Sequence, residues 1–245
     1  MWNTIGSVTT YGILYYLSFV MHGVVGLCVA PGLHLRRRRA VALTGLYVLG
    51  MLPGAKFLYH WRTVGFDPLI VFDVDAYIQG GLWGGMLVYL FLVILLAGFS
   101  AEHRRELLDL SVITISPSWA IAKTGCFLNG CCYGRPCSLP WGVTFPETCT
   151  AAPTGVALHP TQVYEIILVL FLWRFLLRLN NERWRGLLLF WFIFVYGLGR
   201  AGIDLFRGDG ELSAFIGPIT LTQLVCLLSA ATAALVLWRS RKPDA

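Results

Sequence analysis

Apolar residues run through this chain in blocks about as long as a bilayer core is thick, broken by short polar stretches rich in Arg or Gly. Roughly 20 apolar residues suffice to cross hydrocarbon as a helix. The blocks predict seven helices, over about 11–31, 40–59, 78–99, 107–125, 160–179, 186–206 and 218–238. The fourth block carries Asp109, Ser116, Pro117, Ser118 and Lys123. Pro117 predicts a kink there, and an interfacial or re-entrant helix is the alternative for that block. The expected fold class is therefore all-α, a polytopic membrane protein of about seven transmembrane helices.

The breaks between blocks orient it. Arg36 to Arg39, Arg104 and Arg105, Arg178 with Arg183 and Arg185, and Arg239, Arg241 and Lys242 fall on one side if all seven blocks cross. The other breaks are poor in Lys and Arg. The positive-inside rule then puts the N-terminus outside and the C-terminus in the cytoplasm. The same topology sets Arg62, Arg135, Arg200 and Arg207 at or near the outer face, with a Cys- and Gly-rich loop at about 126–159.

Composition agrees with that picture. The chain of 245 residues is 57% hydrophobic and 13% charged, against about 25% charged in soluble domains. It predicts one transmembrane domain over 1–245. The N-terminus has no basic n-region and no small-residue cleavage site, so no removable signal peptide is expected. A net charge of +6 reports topology and attraction to anionic lipid. The basic residues are scattered among loops rather than gathered on one face, which argues against nucleic-acid binding.

Three polar segments interrupt the apolar pattern. In Lys123-Thr124-Gly125-Cys126-Phe127-Leu128-Asn129-Gly130-Cys131-Cys132-Tyr133-Gly134-Arg135 a helix is expected to end at Gly125. The glycines there permit positive φ and backbone N–H groups turned toward a ligand. In His159-Pro160-Thr161-Gln162-Val163-Tyr164-Glu165 the proline suits a helix start. Gln162 and Glu165 share a face, and Glu165 needs a partner such as Arg200 or Lys123. It serves either as an orienting group or as a purely structural counter-charge. In Tyr196 to Arg207, Tyr196, Arg200 and Asp204 form one stripe at i,i+4 spacing, and Arg207 continues it toward water. A guanidinium beside hydrocarbon is costly without an anion to meet it, so Arg200 marks an anion site. For Arg207 the alternative is an interfacial anchor.

These segments resemble the prolipoprotein diacylglyceryl transferase family. Its pattern Gly-Arg-x-x-Asn-Phe-x-Asn-x-Glu-x-x-Gly is similar to Ala122, Lys123, Cys126, Phe127, Asn129, Cys131 and Gly134. His-Pro-Ser-Gln-Leu-Tyr-Glu resembles His159 to Glu165, and Tyr-Gly-x-x-Arg-x-x-x-Glu-x-x-Arg resembles Tyr196, Gly197, Arg200, Asp204 and Arg207. Tyr11-Gly12, Gly54-Ala55-Lys56 and Gln79-Gly80-Gly81-Leu82 follow the family order as well. The resemblance implies transfer of the diacylglyceryl group of phosphatidylglycerol to the cysteine thiol of a prolipoprotein lipobox, releasing glycerol phosphate, in the bacterial plasma membrane. It implies a catalytic set of Arg200, Lys123, Gln79, Glu165 and His159, and binding by Tyr11, Asn129, Gly134, Gln162, Tyr196, Asp204 and Arg207. The implied partners are phosphatidylglycerol or a related anionic phospholipid and the lipobox-containing prolipoprotein, with no cofactor and no metal.

The departures fall on functional positions. Gln79 replaces a histidine, Lys123 an arginine, Cys126 an asparagine and Cys131 a glutamate. Gln79 cannot act as a base near neutral pH, and Lys123 lacks the bidentate fork of an arginine. They leave open a phospholipid-dependent transferase with another acceptor, or a non-catalytic lipid-binding protein on the same scaffold. Of the cysteines, Cys28 and Cys226 read as core residues. Cys126, Cys131, Cys132, Cys137 and Cys149 lie in the outer loop, where one or two disulfides are expected. A metal site with His159 lacks a C-x-x-C pair. A thiol–disulfide protein lacks it too. A reactive thiol at Cys126 or Cys131, beside Lys123, is the sharper reading.

Overall fold

The computed structural model describes residues 4–5, 8–63, 88–95, 104–147, 149, 152–181, 183–208, 214–216 and 219–240, and Gln79 lies outside them. The described chain is mostly helical. After a small antiparallel pairing of β1 (Thr4–Ile5) with β2 (Val8–Thr9), α1 runs over Thr10–Val29. A short 3-10 turn, Ala30–Leu33, leads to α2 (Arg37–Thr63). The described part of α3 covers 88–95. Then follow α4 (Arg104–Asn129), α5 (Thr161–Leu179) and α6 (Leu188–Asp204). The antiparallel strands β3 (Ala214–Ile216) and β4 (Ile219–Thr220) precede α7 (Leu221–Arg239).

Every described helix falls on one of the expected apolar blocks. Among the described residues, two stretches, Thr10–Leu33 and Leu221–Arg239, are long and apolar enough to cross a membrane by length and composition. Large apolar side chains face outward, among them Val20, Phe171, Leu228 and Trp238. α4 is continuous through Pro117, and its side chains are buried from Asp109 to Ala120 despite their polarity.

Several boundaries differ from the sequence reading. The first arginine cluster is not all loop, because Arg37 to Arg39 form the first turn of α2. Three cations there oppose the helix dipole. α4 does not stop at Gly125. That glycine instead lets α1 approach, since a Cβ there would lie 3.3 Å from the Tyr11 ring and 3.4 Å from Leu14. The helix closes one turn later, where Gly130 adopts φ 74°. Cys131 N–H then donates to Cys126 O at 3.1 Å and Gly130 N–H to Phe127 O at 3.2 Å, the paired bonds of a Schellman end. α6 stops at Asp204, so Arg207 leaves the helical stripe and pairs with Gly134 in an isolated antiparallel bridge.

The chain divides into two compact units, Met1–Met21 with Ile115–Ala245, and His22–Thr114. In the second, His22 is fully buried and stacks on Tyr47 at 4.3 Å between ring centroids. Its ring nitrogens meet Thr114 Oγ1 at 2.9 Å, Tyr89 OH at 3.3 Å and Thr44 Oγ1 at 3.3 Å. This network satisfies a polar ring that would otherwise be costly to bury.

In the first unit, α6 packs on α7 through small residues. A Cβ on Gly197 would come within 2.8 Å of Cys226 O and 3.2 Å of Ala230 Cβ, so the backbones approach as small-xxx-small faces do. α7 begins with a capping box. Thr220 Oγ1 accepts from Gln223 N–H, and Gln223 Oε1 accepts from Thr220 N–H. The segment between α4 and α5 is built around Phe145, Cys149, Ala152 and Leu158, with Phe127, Tyr133 and Val143 packed on them. All seven cysteines are free thiols, which corrects the expected disulfides. Cys149 turns its sulfur to Leu128 O at 3.7 Å, and Cys126, Cys131 and Cys132 gather as thiols with their sulfurs within 4.8 Å of one another.

Candidate functional site

Glu165, on the first turns of α5, is the hub. It is 2% exposed, and a bare carboxylate at that depth would cost several kcal/mol. Three donors from two other helices answer it. Lys123 Nζ of α4 lies 2.9 Å from Oε2. Trp119 Nε1, one turn earlier on α4, donates to Oε1 at 2.8 Å, and Tyr196 OH of α6 donates to the same oxygen at 2.8 Å. Lys123 also lies 5.8 Å from the Trp119 ring centroid, near enough for a cation–π contribution. Of the two partners expected for Glu165, Lys123 makes the direct pair.

Arg200 takes the carboxylate on its own helix. Its Nη1 donates to Asp204 Oδ1 at 3.0 Å, and both residues are buried. Asp204 Oδ2 accepts from the Thr220 hydroxyl at 2.5 Å. The hydroxyl that caps α7 therefore also fixes the carboxylate that orients Arg200. Both Glu165 and Asp204 act electrostatically on Arg200, and Arg207 is close enough to act on Lys123 and Arg200. Lys123, Arg200 and Arg207 against Glu165 and Asp204 leave an excess of one positive charge, suited to one anionic ligand.

A second layer fixes the chain after α4. Thr161 Oγ1 donates to Cys132 O at 2.6 Å, and Gln162 Nε2 donates to Cys131 O at 2.7 Å. Lys123 Nζ lies 3.9 Å from Cys132 Sγ. Gly134 sits where a Cβ would fall 2.5 Å from both His159 Cβ and His159 O. Only glycine fits, and Gly134 N–H donates to His159 O at 2.9 Å. Arg135 N–H continues this layer to Phe206 O at 2.8 Å, and its side chain reaches Arg207 O at 3.1 Å. The three polar segments thus meet at one place.

The residues chosen from sequence fall into three groups. Lys123, Glu165, Tyr196, Arg200 and Asp204 form the buried charged cluster. Gln162, Gly134, Arg207 and the backbone of His159 frame it. Tyr11 lies close enough to Cys126, Cys131 and Cys132 to act on them electrostatically, and Asn129 lies beside Cys131 with its Nδ2 buried and without a hydrogen-bond partner among the described residues. The His159 ring turns to Tyr164, with Nδ1 and the phenol oxygen 3.0 Å apart, and packs on Phe206. Trp119, Thr220 and Cys132 were missed. Trp119 was legible as the residue one helical turn before Lys123, and Thr220 as the start of a Thr-x-x-Gln cap.

The cysteine cluster has an uneven electrostatic balance. At Cys132 the hydrogen bonds from Cys126 and Cys131, helped by the charges of Lys123 and Arg207, outweigh burial and hold the thiol well below its ordinary range. At Cys131 the hydrogen bond with Cys126 pulls down, but the bond to Cys132 and burial prevail and push the thiol up to about 12.

Comparison with known proteins adds to this geometry. The profile of the prolipoprotein diacylglyceryl transferase family matches residues 2–239. The phosphatidylglycerol--prolipoprotein diacylglyceryl transferase of Clostridium tetani is 32% identical over 169 residues, 66% of this chain and 66% of that protein. The second such transferase of Clostridium perfringens is 30% identical over 191 residues, 75% of this chain and 72% of that protein. The Geobacter sulfurreducens transferase is 29% identical over 233 residues, 88% of this chain and 84% of that protein.

Proposed function

The chain belongs to the prolipoprotein diacylglyceryl transferase family, a transferase family, and on that premise we propose that it moves the diacylglyceryl group of phosphatidylglycerol to a lipobox cysteine thiol. The lipid phosphate diester lies against Arg200. Asp204 occupies one edge of that guanidinium, and a guanidinium's further N–H donors suit a planar, bidentate grip on phosphate. Lys123 and Arg207 supply the further positive field. As the glyceryl C–O bond breaks, charge gathers on the departing phosphate, and cations fixed beforehand by Glu165 and Asp204 stabilise it without reorganising.

The observation that carries this reading is the buried Arg200, held by Asp204, which Thr220 fixes in turn, and framed by a Lys123–Glu165 pair. A buried arginine with so specific a scaffold is what a fixed anion site requires. The surrounding polytopic arrangement is part of the same proposal. One domain over 1–245 crosses the bacterial plasma membrane seven times, with the site at the outer leaflet, where phosphatidylglycerol and a translocated prolipoprotein meet.

The test is glycerol phosphate release from phosphatidylglycerol vesicles by the purified protein, with and without a lipobox peptide. Release that needs the peptide cysteine and disappears in Arg200→Ala, with the variant still folded, is expected. Release with a Cys→Ser peptide, or unchanged release by Arg200→Ala, would reject the reading.

A further inference from the structure

Resting on the transferase reading, we propose that Cys132 is the base that deprotonates the acceptor thiol. The observation behind it is a half-buried cysteine that three features single out from its neighbours. Its backbone is left-handed, φ 62°, a conformation that a side chain other than glycine adopts at a cost. That conformation is fixed from α5, through the Thr161 bond to Cys132 O and the Gln162 bond to Cys131 O. The sulfur so placed lies 3.9 Å from Lys123 Nζ and shares a 4.8 Å cluster with the sulfurs of Cys126 and Cys131.

The groups around this sulfur favour one negative charge on it. Tyr11 faces it from α1, Lys123 and Cys126 from α4, Cys131 from its own loop and Arg207 from the chain after α6. Glu165 of α5 reaches it through Lys123. Two of these are cations and two are thiols able to donate. The same cations disfavour a metal ion among the three sulfurs, because a divalent cation would sit beside Lys123.

The chemistry balances. The Cys132 thiolate takes the proton of the lipobox thiol, leaving Cys132 protonated and the acceptor as thiolate. The acceptor thiolate attacks the glyceryl carbon bonded to phosphate. The new C–S bond forms as the C–O bond breaks, and the electron pair leaves on the phosphate oxygen. Cys132 then returns its proton to the released glycerol phosphate or to water. Proton transfer from an ordinary thiol to a sulfur held lower runs uphill, and attack by the acceptor thiolate draws it forward, so a thiolate serves as base where Gln79 cannot. Protonation of Cys132 also restores the positive excess of the site as the phosphate gains charge.

Because the Cys132 thiol is held below its ordinary range, the rate is expected to fall as pH drops through that lowered value. The experiment uses the purified full-length protein in phosphatidylglycerol nanodiscs. Initial rates on a lipobox peptide are measured from pH 5 to 9 for wild type, Cys132→Ser and a Cys28→Ser control. Alkylation by iodoacetamide is mapped by mass spectrometry over the same range. Cys132 is expected to react first of the seven cysteines, and Lys123→Ala moves its reaction to higher pH. Cys132→Ser, with unfolding temperature retained, loses about 100-fold or more in rate. Should Cys132→Ser not fold, wild type alkylated at Cys132 alone gives the same reading.

A Cys132→Ser enzyme with the wild-type rate and pH profile would overturn this proposal while leaving the transferase. Preferential alkylation elsewhere would overturn it too, as would one equivalent of zinc released by Cys132→Ser. A wild-type protein that transfers nothing to the peptide removes the transferase reading, and this proposal with it.

Discussion

Glu165 accepts hydrogen bonds from Trp119 and Tyr196 while pairing with Lys123, at 2% exposure. Removing one member of such a pair leaves an uncompensated buried charge, which costs about 3–5 kcal/mol. Glu165→Gln is therefore expected to lower the unfolding temperature sharply in a detergent melt. The double variant Glu165→Leu with Lys123→Met should regain most of that loss, because neither charge then remains, while transfer stays absent. A double variant as unstable as Glu165→Gln would show that the packing around the pair matters more than its charge. At this scale the sequence was informative for charges and left two partners open for Glu165. That Glu165 needed a cation followed from its place in an apolar helix. The choice of Lys123 followed from how α4 and α5 pack, which one-dimensional spacing does not encode.

Among the elements, the loop after α4 is the least legible in sequence and the most constrained in structure. Gly125 and Gly130 look alike as helix breakers. Gly125 is a contact for Tyr11 and Leu14, and only Gly130 has positive φ. Cysteine spacing in an expected outer loop predicted disulfides, yet three of the cysteines gather as free thiols, with Cys132 against Lys123. Gly134 is the pivot between this loop and the chain after α6. Gly134→Ala is expected to break the bridge to Arg207 and speed proteolytic cleavage between residues 130 and 160, because the new Cβ would overlap His159. Gly32→Ala, which meets nothing within 4 Å, should change stability by no more than about 0.5 kcal/mol. Equal protease sensitivity in the two variants would contradict the packing argument.

For the molecule as a whole, helix positions were readable from the apolar blocks, because hydrocarbon demands a length and a polarity that sequence records directly. Orientation rests on the arginine clusters. A cysteine introduced at Leu139, in a background without the exposed Cys28 and the reactive Cys132, is expected to react with a membrane-impermeant maleimide in intact cells. One at Arg239 should react only after lysis. The reverse pattern would place the site on the cytoplasmic side and separate it from translocated acceptors.

The most direct test of the whole account is the intact mass of a lipobox peptide after incubation with the protein and phosphatidylglycerol of one defined acyl composition. The account predicts a single added diacylglyceryl mass on the peptide cysteine, in proportion to glycerol phosphate released, and none with Arg200→Ala. Phosphatidylglycerol bound or consumed with no mass added to the peptide would contradict it, and would assign this charged cluster to another acceptor or to binding alone.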